Sequence, residues 1–383
     1  MKKLLAALAL LCLTASLALG GNKVIKVGVF QPLSGDNGAN GKQEALGIQY
    51  AHMLKPTVEI GGETYDIKLV YADNASSTDK APSAAMYLVS EQVSVVVGSN
   101  SSGVSIAGSP YFGAAGIPVV GATCTNPQVT LGNTHYFRIC FLDPFQGIVL
   151  ANYAYKQMNA RTAYCLGELG NDYDVGLIHY FQDAFEALGG KVIFDTFPTG
   201  TSDFTSYISN AANYGADVFF FPVCIAYSTQ ILAQIASTGC DIPLLGSDIE
   251  DSNKVLEVLK GTDVDLVIST FYQEGVTEEF DSGFRNWLNS DHRAKTNNGG
   301  NDIITAGSAM GFDAYNVAMK AVEAANSTDP AKINATLWNV THDGVCGHVA
   351  FDKNGDAVRD SAILKKVDTK TGRWKFVAIQ KVD

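Results

Sequence analysis

The chain has 383 residues, of which 46% are hydrophobic and 17% charged, with 39 acidic against 27 basic side chains and a formal net charge of −12. That balance provides ample material for a core and excludes an intrinsically disordered chain. The acidic excess excludes nucleic acid, whose phosphates call for a basic footprint, and equally an anionic membrane surface.

Residues 1–20 read as an export signal. Lys2 and Lys3 give a positive start, an apolar stretch covers 4–13, and small residues lead to a cleavage site at Ala18-Leu19-Gly20. A membrane anchor needs roughly 20 apolar residues, and Thr14, Ser16 and the Gly20-Gly21 pair interrupt this run. Cys12 lacks the small residue expected just ahead of a lipidated cysteine. The reading is therefore free secretion to the periplasm or cell exterior. The other cysteines are Cys124, Cys140, Cys165, Cys224, Cys240 and Cys346. Export opens disulfide formation to them, but the irregular spacings, with no CxxC pair, select no pairing.

Residues 23–30 are rich in β-branched side chains and stop at Pro32 and Ser34-Gly35, which predicts a strand. A helix is expected over 41–54, a strand over 65–71, and a helix over 79–90 whose Ser77-Thr78-Asp79 start suits an N-cap. Residues 93–97 are hydrophobic on both faces, as in a buried parallel strand. A helix over 103–115 and a strand over 117–120 follow. This alternation predicts an α/β fold with a doubly wound parallel sheet. The pattern then repeats, with strands over 161–166, 191–197, 217–221, 242–245 and 266–270 and helices over 175–188, 204–214 and 228–237. A second sheet of the same kind follows.

Beyond 270 the texture changes. Helices are expected over 278–288, 303–325 and 330–340, with a surface loop over 297–301. Short strands over 347–351, 362–367 and 373–379 close the chain, with a turn over 352–356. Helices without a sheet of their own would leave apolar faces wet, so the simplest fold returns them to the first sheet. The chain then crosses between two lobes more than once, which is the architecture of a hinged ligand trap.

No catalytic constellation is present in the sequence. The six histidines form no metal-ligand spacing. No GxSxG elbow occurs, and Gly98 to Gly103 has the wrong register for one. Gly35, Gly38 and Gly41 are spaced GxxGxxG, which is not the dinucleotide fingerprint. Asp36 and Gln43 stand where a P-loop needs Gly and Ser or Thr. No Ser or Cys has a recognisable base partner for hydrolysis. The chain is therefore expected to be no enzyme and to need neither metal nor cofactor. Asp248, Glu250 and Asp251 form an acidic cluster that reads as a helix cap with first-turn acids, or as a partner for a ligand.

Ligands of doubly wound sheets bind beyond the carboxyl ends of the strands. There the first sheet presents Asn100-Ser101-Ser102 and Thr123-Cys124-Thr125. The second presents Asn171-Asp172-Tyr173 and Gly246-Ser247-Asp248. Hydroxyls and free N–H groups at a helix start suit a carboxylate. A carboxylate at a strand end suits an ammonium, and Tyr173 offers a ring and a hydroxyl. The set matches an α-amino acid, although the same residue types are what caps and loops favour anyway.

At these residues the sequence resembles the substrate-binding proteins of branched-chain amino acid ABC transporters, the Leu/Ile/Val-binding type with the periplasmic binding protein type I fold. The resemblance covers nearly all of the chain after the leader. It runs through Lys26 to Gly35, Asp73 to Lys80, Gly98 to Pro127, Tyr136-Phe137-Arg138, Tyr173-Asp174-Val175-Gly176, Asp203-Phe204, Gly246-Ser247-Asp248 and Gly311-Phe312-Asp313-Ala314. It implies two Rossmann-like lobes joined by a three-strand hinge, with crossings near 139–141, 269–271 and 356–361. The N-terminal lobe would be 23–139 with 272–356, and the C-terminal lobe 142–269 with 361–383.

The resemblance also implies roles. Ser102 and Thr125 would hold the ligand carboxylate by hydroxyl, with Ser101 beside them and backbone groups at Thr123 helping. Asp248 would pair the ammonium and Tyr173 would cover the ligand. Three positions depart from the pattern: Cys224 replaces an aromatic lining residue, Cys124 a small residue, and Asp248 the more usual Glu. These departures bear on the ligand's side chain more than on its amino-acid backbone, so the expected ligand is a small amino acid, of branched-chain type or a related one. The alternatives are amides, small organic acids, or the ligand-binding domain of a sensory receptor, which would continue into a membrane span or signalling domain. The implied partners are the small-molecule ligand and the permease subunits of an ABC importer, with the binding protein itself a monomer.

Overall fold

The computed structural model describes residues 23–382, so the leader expected over 1–20 lies outside the described residues. The first sheet has six strands in the order β2-β3-β1-β4-β5-β6. These are β1 (Lys23–Gln31), β2 (Thr57–Ile60), β3 (Glu63–Asp73), β4 (Val95–Val97), β5 (Val119–Gly121) and β6 (Tyr136–Arg138). All neighbours are parallel except the β2–β3 hairpin. That hairpin turns on Gly61-Gly62, with φ of 62° and 78°, and its primed-turn geometry requires positive φ at both positions. From Val27 to Gln31 all five residues of β1 are buried, so both faces of the strand are covered, because helices cover the sheet on each side.

One face is covered by α2 (Ala81–Ser90) and α3 (Ser102–Ala114), which pack on Phe30, Val96 and Val119. The other is covered by α1 (Gly38–Leu54) and by a helix from far along the chain, at Ala306–Ala325.

The second sheet has seven strands, β15-β14-β11-β10-β9-β7-β8. Five are parallel: β7 (Thr162–Glu168), β8 (Lys191–Phe197), β9 (Val218–Phe220), β10 (Leu244–Gly246) and β11 (Leu266–Thr270). A small hairpin of β12 (Thr341–Gly344) and β13 (Gly347–Ala350) precedes β14 (Ser361–Asp368) and β15 (Arg373–Lys381). These last two strands join the second sheet at its edge, β14 antiparallel to β11 and β15 antiparallel to β14. Its helices are α4 (Asp143–Lys156), α5 (Asp172–Ala187), α6 (Thr205–Asn213), α7 (Ile225–Thr238) and α8 (Asn253–Leu259). The remaining helices are α9 (Glu278–Ser290), α10 (His292–Asn297), α11 (Ala306–Ala325) and α12 (Pro330–Leu337).

The expected return to the first sheet is what the chain does. Met310, Ala314, Val317 and Val322 of α11 pack against Ile25, Val27 and Val29 of β1. Helices α1 and α11 meet through glycines: a Cβ on Gly47 would lie 1.8 Å from the Ser308 carbonyl oxygen, and one on Gly311 2.2 Å from that of Glu44. Gly47→Ala is accordingly expected to destabilise the fold by about 1–3 kcal/mol, through forced separation of the helices. Urea denaturation measures this; an unchanged midpoint would show that the contact can spread at no cost.

The chain crosses between sheets after β6, after β11 and before β14. Phe141 and Phe271, on the first two crossings, pack with ring centroids 4.1 Å apart and planes tilted by 33°. Arg138 N–H donates to the Gly355 carbonyl at 2.9 Å, and Ala357 N–H to that of Arg138 at 2.9 Å, so the third crossing lies against the first.

Several expectations are corrected. The helix expected over 79–90 begins at Ala81 with Lys80 at its N-cap and no side-chain cap, Pro82 having fixed the first turn instead. Helix α4 was not among the helices expected from the sequence. Pro144 sits at the helix start, where its missing N–H is harmless, and Gly147 lets α4 approach α5 closely. The loop expected over 297–301 is shortened by α10. Among the described residues all six cysteines are free thiols, and no helix is long and apolar enough to cross a membrane.

Candidate functional site: the cleft between the two sheets

The carboxyl ends of both sheets face one cavity of about 390 Å³. Ser101, Ser102, Thr123, Tyr173, Cys224 and Asp248 all line it. Thr125 does not: it is fully buried, and its carbonyl accepts from Asp143 N–H at 3.1 Å. In this structure it holds the start of α4.

On the first lobe's side, β4 leads into α3 through Ser101, whose φ of +100° is unusual for a residue with a side chain. Such strain persists where surrounding contacts over-determine it, and it clusters at ligand sites. Here Asn37 Nδ2 donates to Ser101 Oγ at 2.8 Å. Ser102 Oγ accepts from Asn126 N–H at 3.1 Å, tying the loop after β5 to the start of α3. Thr123 Oγ1 donates to Glu44 Oε2 at 2.6 Å and accepts from Asn100 Nδ2 at 3.0 Å. Glu44 is fully buried and also accepts from Gln31, and burial pushes its carboxyl up to about 7.

On the second lobe's side, the acidic cluster after β10 divides its work. Glu250 caps its own turn, accepting from Ser247 N–H at 2.7 Å and Ser247 Oγ at 2.8 Å. Asp251 pairs with the buried Lys365 at 2.9 Å. Asp248 alone faces the cavity. Tyr173 Oη lies 2.8 Å from both Asp248 Oδ1 and Ser247 Oγ, and Gln146 Nε2 donates to Asp248 Oδ1 at 2.8 Å. These partners are neutral, so burial dominates and holds the Asp248 carboxyl up at about 6. Cys224 stands at the N-cap of α7 on the same wall.

The walls touch directly. Ile225 N–H donates to Asn37 Oδ1 at 3.0 Å, Asn40 Nδ2 to the Ile249 carbonyl at 2.7 Å, and Asn126 Nδ2 to the Asp172 carbonyl at 2.9 Å. Asn37, Gln146 and Glu44 went unassigned as site residues in the sequence, and Asn100 was named at its strand end without a role. Asn37 sits inside the GxxGxxG loop, where a polar residue at the mouth of the first βα turn was the available signal. Gln146 lies on the unpredicted α4.

The profile of the periplasmic binding protein family matches residues 24–372, almost the whole described chain. The chain belongs to the periplasmic binding protein family. Leu/Ile/Val-binding protein homolog 2 of Brucella abortus is 28% identical over 355 residues, covering 90% of this chain and 91% of that one. An amino acid binding protein of Pseudomonas aeruginosa is 27% identical over 359 residues, with 90% and 91% covered. The crystal structure of a leucine binding protein, LivK, from Thermotoga maritima superposes with a TM-score of 0.82 at 30% identity, covering 94% of this chain and 99% of that one. A solute binding protein from R. palustris in complex with 4-hydroxybenzoate shares the fold, with a TM-score of 0.80 at 21% identity, covering 94% and 97%. The resemblance read from the sequence is borne out. This periplasmic binding protein is a solute-binding protein of the LivK type and not an enzyme.

Proposed function

We propose that this binding protein captures an α-amino acid between its lobes and delivers it, outside the cytoplasm, to the permease of an ABC importer. The observation that carries the reading is the polarity of the cavity. Asp248 is half-buried on one wall among neutral partners, and the N-terminus of the 13-residue helix α3 opens on the other. A helix start presents N–H groups without intrahelical partners and a partial positive charge. A zwitterion laid across the cavity places its carboxylate at Ser101 and Ser102 and its ammonium at Asp248, with Tyr173 against it. Thr123 and Cys224 line the remaining wall. The hydroxyl of Thr125 would reach the ligand only after a local rearrangement.

The relatives named for leucine, isoleucine and valine support an amino acid as cargo. An aromatic acid such as 4-hydroxybenzoate would bring an anion to Asp248 without an ammonium to offset it. In this reading the lobes are 23–139 with 272–356 and 142–269 with 361–383, the three crossings form the hinge, and the protein acts as a monomer. Ligand shifts the population toward the closed form by its differential affinity for that form.

A thermal-shift screen of the refolded protein against the standard amino acids, small amides and aromatic acids tests this. One or a few amino acids should stabilise the protein by about 2.7 kcal/mol at 100 times the dissociation constant. Stabilisation by aromatic acids or amides and by no amino acid would overturn the amino-acid reading and leave the fold assignment intact.

A further inference from the structure

The amino-acid reading uses one end of the cavity and leaves the other unassigned. At that other end stands Cys224, whose thiol is pushed well above its usual range by burial and then by the fields of Asp174, Asp36 and Glu168. Among the described residues the cavity is lined by five carboxylates, Asp36, Glu168, Asp172, Asp174 and Asp248, and by no Lys, Arg or His. Asp174 is 1% exposed; one of its oxygens accepts from Glu168 N–H at 2.9 Å and the other has no partner. Asn100, 8% exposed, likewise keeps a side-chain carbonyl oxygen without a donor. Glu168 accepts from neutral donors, Thr199 Oγ1 at 2.6 Å, Asn171 Nδ2 at 3.2 Å and Tyr227 Oη at 3.4 Å.

An aliphatic side chain is poorly served by such walls. Seating it there would strip water from carboxylates and amide oxygens and return no hydrogen bond, which is costly for polar groups and more so for charged ones. A cation bearing several N–H donors returns those bonds and offsets the charge. The apolar residues of the lining, among them Val104, Leu169 and Ile249, are enough to flank a methylene stem.

We propose that the cleft selects an amino acid carrying a second positive charge, a basic amino acid such as arginine, lysine or ornithine, over the branched-chain amino acids. The α-ammonium sits at Asp248, and the side-chain cation lies beside Cys224 among Asp36, Glu168 and Asp174. This rests on the amino-acid reading above and adds the identity of the side chain.

Isothermal calorimetry on the refolded protein tests it with L-arginine, L-lysine, L-ornithine, L-leucine, L-isoleucine, L-valine and the neutral donor L-glutamine. At least one basic amino acid should bind tenfold or more tighter than leucine, isoleucine, valine and glutamine, and its affinity should fall with added salt. In Glu168→Gln, and separately in the exposed-site variant Asp36→Asn, the ratio of that affinity to the leucine affinity should drop tenfold or more, with thermal melts checking that each variant folds. Tighter binding of a branched-chain amino acid, equal binding of glutamine, or an unchanged ratio in both variants overturns the side-chain assignment while the amino-acid reading stands. Binding of 4-hydroxybenzoate with no amino acid bound overturns both.

Discussion

Replacing Asp248 with alanine is expected to weaken amino-acid binding by about 2–5 kcal/mol, the usual cost of truncating one partner of a buried hydrogen-bonded charge pair. The size follows from the surroundings. Tyr173 and Gln146 give Asp248 hydrogen bonds but no charge, so a ligand ammonium would be the one ion paired with it. The same geometry sets a pH dependence. The carboxyl titrates at about 6 in the free protein, raised by burial and, to a lesser degree, by Asp251, against the lowering effect of Tyr173 and Gln146. Above that pH Asp248 is an anion ready for an ammonium. As pH falls through about 6 a proton must leave before the ligand pairs, so affinity declines toward acid. Titration calorimetry across pH 4.5–8 reads both effects. The Asp248→Asn variant, similar in size and without charge, should bind weakly and lose the decline. Wild-type affinity in either variant would remove Asp248 from the ammonium site.

The second large effect is expected away from the cleft. Arg138 is fully buried and its Nε pairs with Asp356 Oδ1 at 2.5 Å, across the first and third crossings. Its guanidinium also donates to the Cys124 carbonyl at 2.8 Å and to Thr130 Oγ1 at 3.0 Å. Asp356→Ala leaves that guanidinium charged, buried and without its anion, and should cost about 3–5 kcal/mol of stability. Replacing both partners, Arg138→Met with Asp356→Leu, should recover much of the loss, because the desolvation of both charges disappears with them. Denaturant midpoints for the single and double variants decide. A single variant within about 0.5 kcal/mol of wild type, the range of ordinary surface changes, would show that water or a carbonyl satisfies Arg138.

Much of this was legible in the sequence for identifiable reasons. A strand such as Val95–Val97, apolar on both faces, can only lie in a sheet covered on both sides. Once strands and helices alternate, the strand-end rule points to Ser101, Ser102, Tyr173 and Asp248 without further information. What remained hidden depends on contacts between distant residues. Asn37 bridges Ser101 and the N–H of Ile225, 188 positions away, and its place in the first βα turn says nothing of either partner. Glu44 sits in a helix where a surface glutamate would look the same, yet it is buried under Thr123 and Gln31. Thr125 shows the opposite failure. Its position in the motif suggested a hydroxyl on the ligand, and the backbone path turns it toward α4.

The way the chain weaves between its two sheets also governs when it can fold. The first sheet's apolar face, formed by β1, β4 and β5, is covered by α11, which is separated from β5 by the strands β7 to β11 of the other sheet. The edge of that other sheet is supplied by β14 and β15, later still. A chain emerging from a ribosome at about 5–20 residues per second thus spends many seconds with neither core closed. Pairings of such long sequence separation also form slowly. Nascent chains would remain threadable for that interval, and they would also depend on holding factors to keep their uncovered strands from one another.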